Sequence, residues 1–253
     1  MRITFLGTGT SQGVPLIGCP CGVCASSDPR DSRLRSSILV QDKGKTIVVD
    51  TGPDFRQQML RNQVKELDAV LFTHEHKDHV AGMDDIRAYN FILQRDMPVY
   101  ATERVQQALR REFVYIFDGS NYPGIPKIQL NTIENRPFEI EGIAVVPIEV
   151  MHYKLPVLGF RFDDFAYITD ANYISEEERQ KIRGCKVLVL NALRREAHIS
   201  HFTLEEAIEL VEDLKPKKAY FTHISHQMGF HEEVEKELPA HIRIAFDGLT
   251  IEV

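Results

Sequence analysis

Residues 74–79 read His74-Glu75-His76-Lys77-Asp78-His79, which puts three imidazoles and a carboxylate within six positions. They directly follow an apolar, strand-like run, Ala69-Val70-Leu71-Phe72. A strand of that kind delivers the loop to one end of a sheet. His74 and His76, two residues apart, can face one metal ion while Asp78 and His79 turn toward a second. Neutral imidazoles and a carboxylate suit zinc, manganese or iron at a hydrolytic centre. The alternative is a solvated loop that is histidine-rich by chance. Three of only ten histidines falling in one hexapeptide argues against it.

A second constellation is Gly18-Cys19-Pro20-Cys21-Gly22-Val23-Cys24, which holds three of the four cysteines. The amino terminus shows no basic-then-apolar signal segment, so the chain is expected to be cytoplasmic, where disulfides are rare. Three thiolates on a glycine-containing loop look like a closed zinc site that lacks its fourth ligand. His226, in Thr222-His223-Ile224-Ser225-His226-Gln227, is the leading candidate for that place, ahead of His231 and His241. Buried free cysteines are the alternative, and Cys185 reads as core.

Further single residues end or follow β-prone segments: Asp50 in Val48-Val49-Asp50-Thr51-Gly52, His152, Asp170 in Tyr167-Ile168-Thr169-Asp170, and His223. Taken alone, His152 reads as a satisfied core histidine or a ligand, and Asp170 as a turn former or a ligand. Asp50 suits either an orienting acceptor for a ligand histidine or plain turn chemistry. His198 and His201 precede a helical stretch, and nothing local chooses between them. Asp84 and Asp85 line a pocket or cap a helix. Tyr153, Lys154 and Arg194 contact a phosphate or sugar, or are surface.

The order of these motifs resembles the metallo-β-lactamase superfamily. Gly7-Thr8-Gly9-Thr10-Ser11-Gln12-Gly13-Val14-Pro15, the Cys-x-Cys-x-x-Cys loop and Thr222-His223-Ile224-Ser225-His226-Gln227 together look like its phosphonate-operon cyclic phosphodiesterase (PhnP-like) branch. The resemblance covers nearly the whole chain. It implies an αββα sandwich of the α/β (α+β) class, with two mixed β-sheets flanked by helices. It also implies a dinuclear site in which His74, His76 and His152 hold one metal, Asp78, His79 and His223 the other, and Asp170 bridges them. Cys19, Cys21, Cys24 and His226 would form a structural zinc site. Manganese or zinc would occupy the catalytic pair, with Asp78 and His201 as the catalytic residues and His201, rather than His198, protonating the leaving alkoxide. Two cations roughly 3.5–4 Å apart activate a shared hydroxide and stabilise the oxygens that attack and leave. A small, anionic phosphodiester follows as the expected substrate, a cyclic ribose or nucleotide phosphate being what the branch suggests, as it suggests a homodimer. One departure is Asn191, where an acidic residue is expected at the strand end.

Two rival readings share these motifs. A transfer-RNA 3′-processing endonuclease has the opening glycine turn and the metal set, but carries a basic arm between the positions of His152 and Asp170. The 18-residue separation here (170 − 152) is too short for that arm. A non-catalytic metal-binding partner, like cofactor-biosynthesis relatives, would keep the cysteine loop and lose catalytic ligands, yet all seven are present.

The elements that must position these groups are readable from pattern. Strands are expected at 3–6, 37–41 and 46–49, the last two joined by the Asp42-Lys43-Gly44-Lys45 turn. Helices follow at 54–61, 83–94 and 105–113. Strands dominate from 128 to 168, broken by Gly142 and by a Leu155-Pro156 loop. Helices return at 176–182 and 203–214, the latter opening on a Thr203-Leu204-Glu205-Glu206 capping box. Strands at 186–190 and 218–221 lie between them. No linker, repeat or low-complexity tract interrupts the 253 residues, so a single domain spanning 1–253 is expected, and no apolar run reaches membrane-spanning length. The net charge of −7, with only short basic patches at 30–35 and 215–218, disfavours long nucleic acid as a partner.

Overall fold

The computed structural model describes residues 1–119 and 122–253. Six strands, β1 (Arg2–Gly7), β2 (Ser37–Asp42), β3 (Lys45–Val49), β4 (Ala69–Leu71), β5 (Met97–Ala101) and β6 (Ile128–Thr132), form the first sheet. The second holds β7 (Phe138–Ile140), β8 (Ile143–His152), β9 (Leu155–Phe162), β10 (Phe165–Tyr167), β11 (Val187–Asn191), β12 (Lys218–Thr222) and β13 (Ile242–Ile244). The last strand, β14 (Thr250–Glu252), returns to pair antiparallel with β1. Both sheets are mixed: β1–β3 and β7–β10 run antiparallel, whereas β3–β6 and β10–β13 are parallel.

Parallel pairing requires crossovers, and these supply the helices. The longer ones are α1 (Phe55–Arg61), α3 (Arg87–Leu93) and α4 (Glu103–Glu112) on the first sheet, and α6 (Glu176–Ile182), α7 (Leu204–Leu214) and α8 (His231–Glu237) on the second. The short α2 (Lys77–Val80) belongs to the histidine loop, and α5 (Val114–Phe117) follows α4. Three apolar layers result. Phe5, Val49, Leu71, Phe160 and Tyr167 fill the space between the sheets. Phe55, Met83, Val105 and Leu109 pack the first sheet's outer face, and Ile182, Leu204, Val211 and Val234 that of the second. This is the αββα sandwich. Among the described residues no helix is long and apolar enough to cross a membrane.

Local chemistry explains most boundaries. Lys43 and Gly44 both adopt positive φ (50° and 73°) in the β2–β3 hairpin, the left-handed pair such a two-residue turn requires. Thr203 accepts from Glu206 N, and the Glu206 carboxylate accepts from Thr203 N, so the capping box is closed in both directions. Two expectations need correction. The stretch 83–94 is a 3₁₀ turn, Met83–Ile86, followed by α3, which stops at Gln94 in a left-handed conformation. Leu155-Pro156 is strand, not loop. Met151, opposite Pro156, sends its own N–H and C=O away to Tyr173 and Asn172, so no ladder bond there needs a proline N–H.

Candidate metal centre

The seven residues of the dinuclear pattern meet where the carboxyl ends of strands from both sheets converge. Asp50 follows β3, His74–His79 follows β4, His152 ends β8, Asp170 lies three residues past β10, and His223 follows β12. Asp50, Asp170 and His223 all hold left-handed backbones, with φ of 66°, 56° and 57°. Non-glycine residues rarely adopt such angles, which cluster where side-chain placement overrides local preference. Beneath the loop the backbone approach is close: a Cβ on Gly52 would sit 2.1 Å from the Asp78 carbonyl, so only glycine fits.

Donor atoms form three overlapping groups: His74, His76 and His152; Asp78, His79, Asp170 and His223; and His152, Asp170 and His201. Asp170 and His152 each belong to two of them, so the set is continuous. Asp170 Oδ2 lies 3.2 Å from both His79 Nε2 and His223 Nδ1, while its Oδ1 lies 3.2 Å from His201 Nε2. His198 Nδ1 stands behind, 3.1 Å from His201 Nδ1 and outside these groups.

The imidazoles are oriented from outside. His79 Nδ1 donates to Asp50 Oδ2 at 2.7 Å, and Asp50 also accepts from Thr73 N and Thr73 Oγ1. His152 Nδ1 donates to the Ser200 carbonyl at 2.9 Å. Each ring is thereby fixed in one tautomer with Nε2 turned inward, the usual device for a metal-bound histidine. Asp50 therefore orients a histidine as well as ending a strand. The Asn191 departure is also explained. Its amide accepts from Ala171 N at 2.7 Å and donates to Ala171 O at 2.9 Å, clamping the backbone just after Asp170. An aspartate there could accept but not donate.

The electrostatics fit cations. Burial drives His74 well below the ordinary imidazole range and His223 down to about 4, leaving neutral rings with free lone pairs. His79 goes the other way. Burial alone would lower it, but Asp78, Asp170 and Asp50 outweigh that and hold it well above its usual value. Its Nε2 is buried and makes no hydrogen bond, although it lies 3.1 Å from Asp78 and 3.2 Å from Asp170. Buried carboxylates converging on an unsatisfied imidazole nitrogen form a donor set suited to divalent metal.

The cysteine loop forms a separate group, Cys19, Cys21, Cys24 and His226. His226 Nδ1 lies 3.4 Å from Cys19 Sγ and 3.3 Å from Cys21 Sγ. The His226 contact pulls the Cys21 thiol down to about 6, whereas burial pushes Cys24 up to about 11. Three sulfurs and one nitrogen match a closed tetrahedral zinc set. Neither alternative for the fourth place reaches it: His231 faces Arg33 at 3.1 Å, and His241 faces Glu212 at 3.4 Å. Cys185 is buried in the second sheet's outer core.

Of the remaining candidates, Asp84 turns away to Arg87 and the Tyr115 hydroxyl, and neither it nor Asp85 joins a donor group. Arg194 is tied down by Gln227 and the carbonyls of Glu196 and Ala197. Thr73, Thr10 and the Ser200 carbonyl support ligands without having been singled out. They act through a hydroxyl or the backbone, which leaves no spacing signal.

Residues 45–224 match the Beta-lactamase superfamily domain. The chain belongs to the metallo-β-lactamase superfamily. Within that superfamily it is PhnP-like: it superimposes with a TM-score of 0.94 on a diphosphatase from the PhnP family, at 41% identity, over all of this chain and 97% of that one. It is also 41% identical over 252 residues to a Porphyromonas gingivalis protein named octanoyltransferase, covering 98% of this chain and 51% of that protein. A Methanosarcina acetivorans ribonuclease Z is 28% identical over 167 residues, 63% of this chain and 47% of the relative. The chain thus spans about half the length of these two curated relatives. The His/Asp groups and the cysteine group each supply a donor set that could hold a metal ion.

Proposed function

We propose that this metallo-β-lactamase-fold protein is a phosphodiesterase that hydrolyses a small phosphodiester. The observation that carries the reading is Asp170, whose carboxylate reaches donors on both sides of one continuous His/Asp cluster. His74, His76 and His152 would hold one divalent cation, Asp78, His79 and His223 the other, and Asp170 both. When bound, two such cations supply Lewis acidity to phosphoryl oxygens and make a shared water acidic. The chain's own residues do the rest. Asp50 and the Ser200 carbonyl keep the His79 and His152 protons on Nδ1. His201, beside Asp170 and stacked 4.9 Å from the His223 ring, would deliver a proton from Nε2 to the departing oxygen. Cys19, Cys21, Cys24 and His226 would hold zinc and pin the amino-terminal loop next to His223.

The diphosphatase named for the PhnP-family relative supports phosphorus chemistry here. The ribonuclease Z reading gains from shared sequence, but between His152 and Asp170 the chain runs only through the tight β8–β9–β10 meander. A compact substrate fits that better than a transfer RNA. The octanoyltransferase name belongs to a protein about twice as long.

The test is hydrolysis of a chromogenic phosphodiester by manganese-loaded protein, with Asp170→Ala alongside. Turnover that the variant loses supports the reading. No turnover by protein with both catalytic metals bound would overturn it, in favour of a carbonyl ester or thioester substrate or a non-catalytic role.

A further inference from the structure

Two cavities open beside the His/Asp cluster, one of about 280 Å³ edged by Gln12 and Gln227, the other of about 430 Å³ edged by Tyr153 and Lys154. Arg33 lines neither, yet it is the only lysine or arginine among the described residues that is buried, at 4% exposure. Taking a guanidinium out of water is unfavourable, and arginine is rarely buried unless something answers its charge. Burial pulls it down to about 10, with Asp247 opposing, so it is still a cation at neutral pH. The charge is answered through a hydroxyl. Thr8 Oγ1 accepts from Arg33 Nη1 at 2.9 Å and donates to Asp247 Oδ1 at 2.8 Å. The same Nη1 donates to the Ala245 carbonyl at 2.6 Å, and Nη2 lies 3.1 Å from His231 Nδ1.

Both partners of Nη1 lead to His223. Thr8 O accepts from Ile224 N at 2.8 Å, and Thr10 N donates to Ile224 O at 3.1 Å, which fixes the residue after His223. Ala245 N donates to Phe221 O at 2.9 Å, which fixes the second residue before it. Between these flanks His223 holds a left-handed backbone, with φ of 57°, that a non-glycine residue keeps only where its surroundings impose it. The ribbon through Gly9 has no slack on the Arg33 side. Gly9 N donates to Leu34 O at 2.7 Å, and a Cβ on Gly9 would lie 2.9 Å from the Arg33 carbonyl. One nitrogen of a buried guanidinium therefore braces the chain on both sides of a metal donor. An apolar side chain of similar length would serve packing alone without burying a charge.

We propose that Arg33 is a positioning residue for His223, bracing both flanks of that donor through Thr8 and Ala245 and so setting how tightly the cation on the His223 side is held. The proposal rests on the dinuclear reading of the His/Asp cluster and is independent of the substrate. Groups that orient a metal ligand tune its affinity without touching the metal.

Competition of cobalt-loaded protein against a graded chelator tests this, with ligand-field absorption reporting the His/Asp cluster and thiolate-to-cobalt absorption the cysteine loop. Arg33→Met nearly keeps the side-chain length and removes its donors. It is expected to weaken one His/Asp cobalt by about 10–100-fold, the usual effect of disturbing a ligand's support, with the cysteine-loop cobalt held as in the wild type. Thr8→Val, which removes only the bridging hydroxyl, shifts the same cobalt in the same direction, and Thr8→Ser restores it. Thr8→Val decides the matter if Arg33→Met does not fold. In a His223→Asn background neither variant weakens the remaining His/Asp cobalt further, as a role exercised through His223 requires. Unchanged retention of both His/Asp cobalts in folded Thr8→Val, or a parallel loss at every site, would overturn the proposal. A wild type that takes up no cobalt at the His/Asp cluster would instead remove the dinuclear reading, and the proposal with it.

Discussion

The two donor clusters of this chain are built in opposite ways. The cysteine site takes three ligands from one six-residue loop and needs only His226 from elsewhere. The His/Asp site gathers its groups from near strand ends scattered between positions 74 and 223, and two of them, Asp170 and His223, carry left-handed backbones. The local site is made of soft, similar donors with no carboxylate. The dispersed one mixes imidazole and carboxylate, is flanked by two cavities, and is surrounded by orienting bonds from Asp50, Ser200 and Asn191. A closed set of thiolates suits a staple, whereas an oriented set with room beside it suits chemistry.

That contrast can be broken most sharply at Asp170. Removing the carboxylate shared by the donor groups is expected to lower phosphodiester turnover by at least roughly 10²–10³-fold, the scale of losing a main transition-state contact, while zinc at the cysteine loop is retained. Steady-state assay and elemental analysis of Asp170→Ala check both halves.

A step outward, Asp50→Asn keeps the shape but weakens the acceptor for His79 Nδ1. Losses of about 10–100-fold in metal affinity or activity are the usual cost of disturbing such a partner. Metal titration against kcat separates the two.

Cys21→Ser tests the other cluster. It should abolish zinc binding at the cysteine loop and lower the melting temperature of zinc-loaded protein, with activity falling less than in Asp50→Asn because no His/Asp donor is touched. An activity loss equal to that of Asp170→Ala would show that the staple and the reactive site are one unit.

The smallest effect concerns pH. Burial, followed by Arg33 and Arg30, depresses His231 to about 4. Between its unfolded pKa of about 6.5 and the folded value, the unfolded chain takes up a proton that the folded one does not. Stability therefore falls as pH drops through that window, and His231→Gln should flatten the slope in denaturant melts from pH 7 to 4.5.

Much of this architecture was legible in the sequence, for identifiable reasons. Short-range signals translated directly: the Thr203 capping box, the Lys43-Gly44 turn, and the histidine loop after β4. The ordered series of His152, Asp170 and His223 was readable because each ends or closely follows a β-prone segment, and strand ends converge in a mixed sheet. What sequence could not carry was long-range and often mediated by backbone. Nothing near Asp50 decides that its carboxylate meets His79, because that bond depends on the parallel pairing of β3 with β4. Nothing near Asn191 announces a two-way bond to Ala171. Pro156 misled because its neighbour's ladder bonds go to Tyr173 and Asn172, on a segment more than fifteen residues away.

The most direct measurement is metal content during graded chelation, followed beside diesterase activity. The account predicts that activity and the catalytic metals leave together, with zinc on the cysteine loop remaining until the protein melts. Loss of all metal in a single step, or activity that persists after the His/Asp cluster has been emptied, would contradict it.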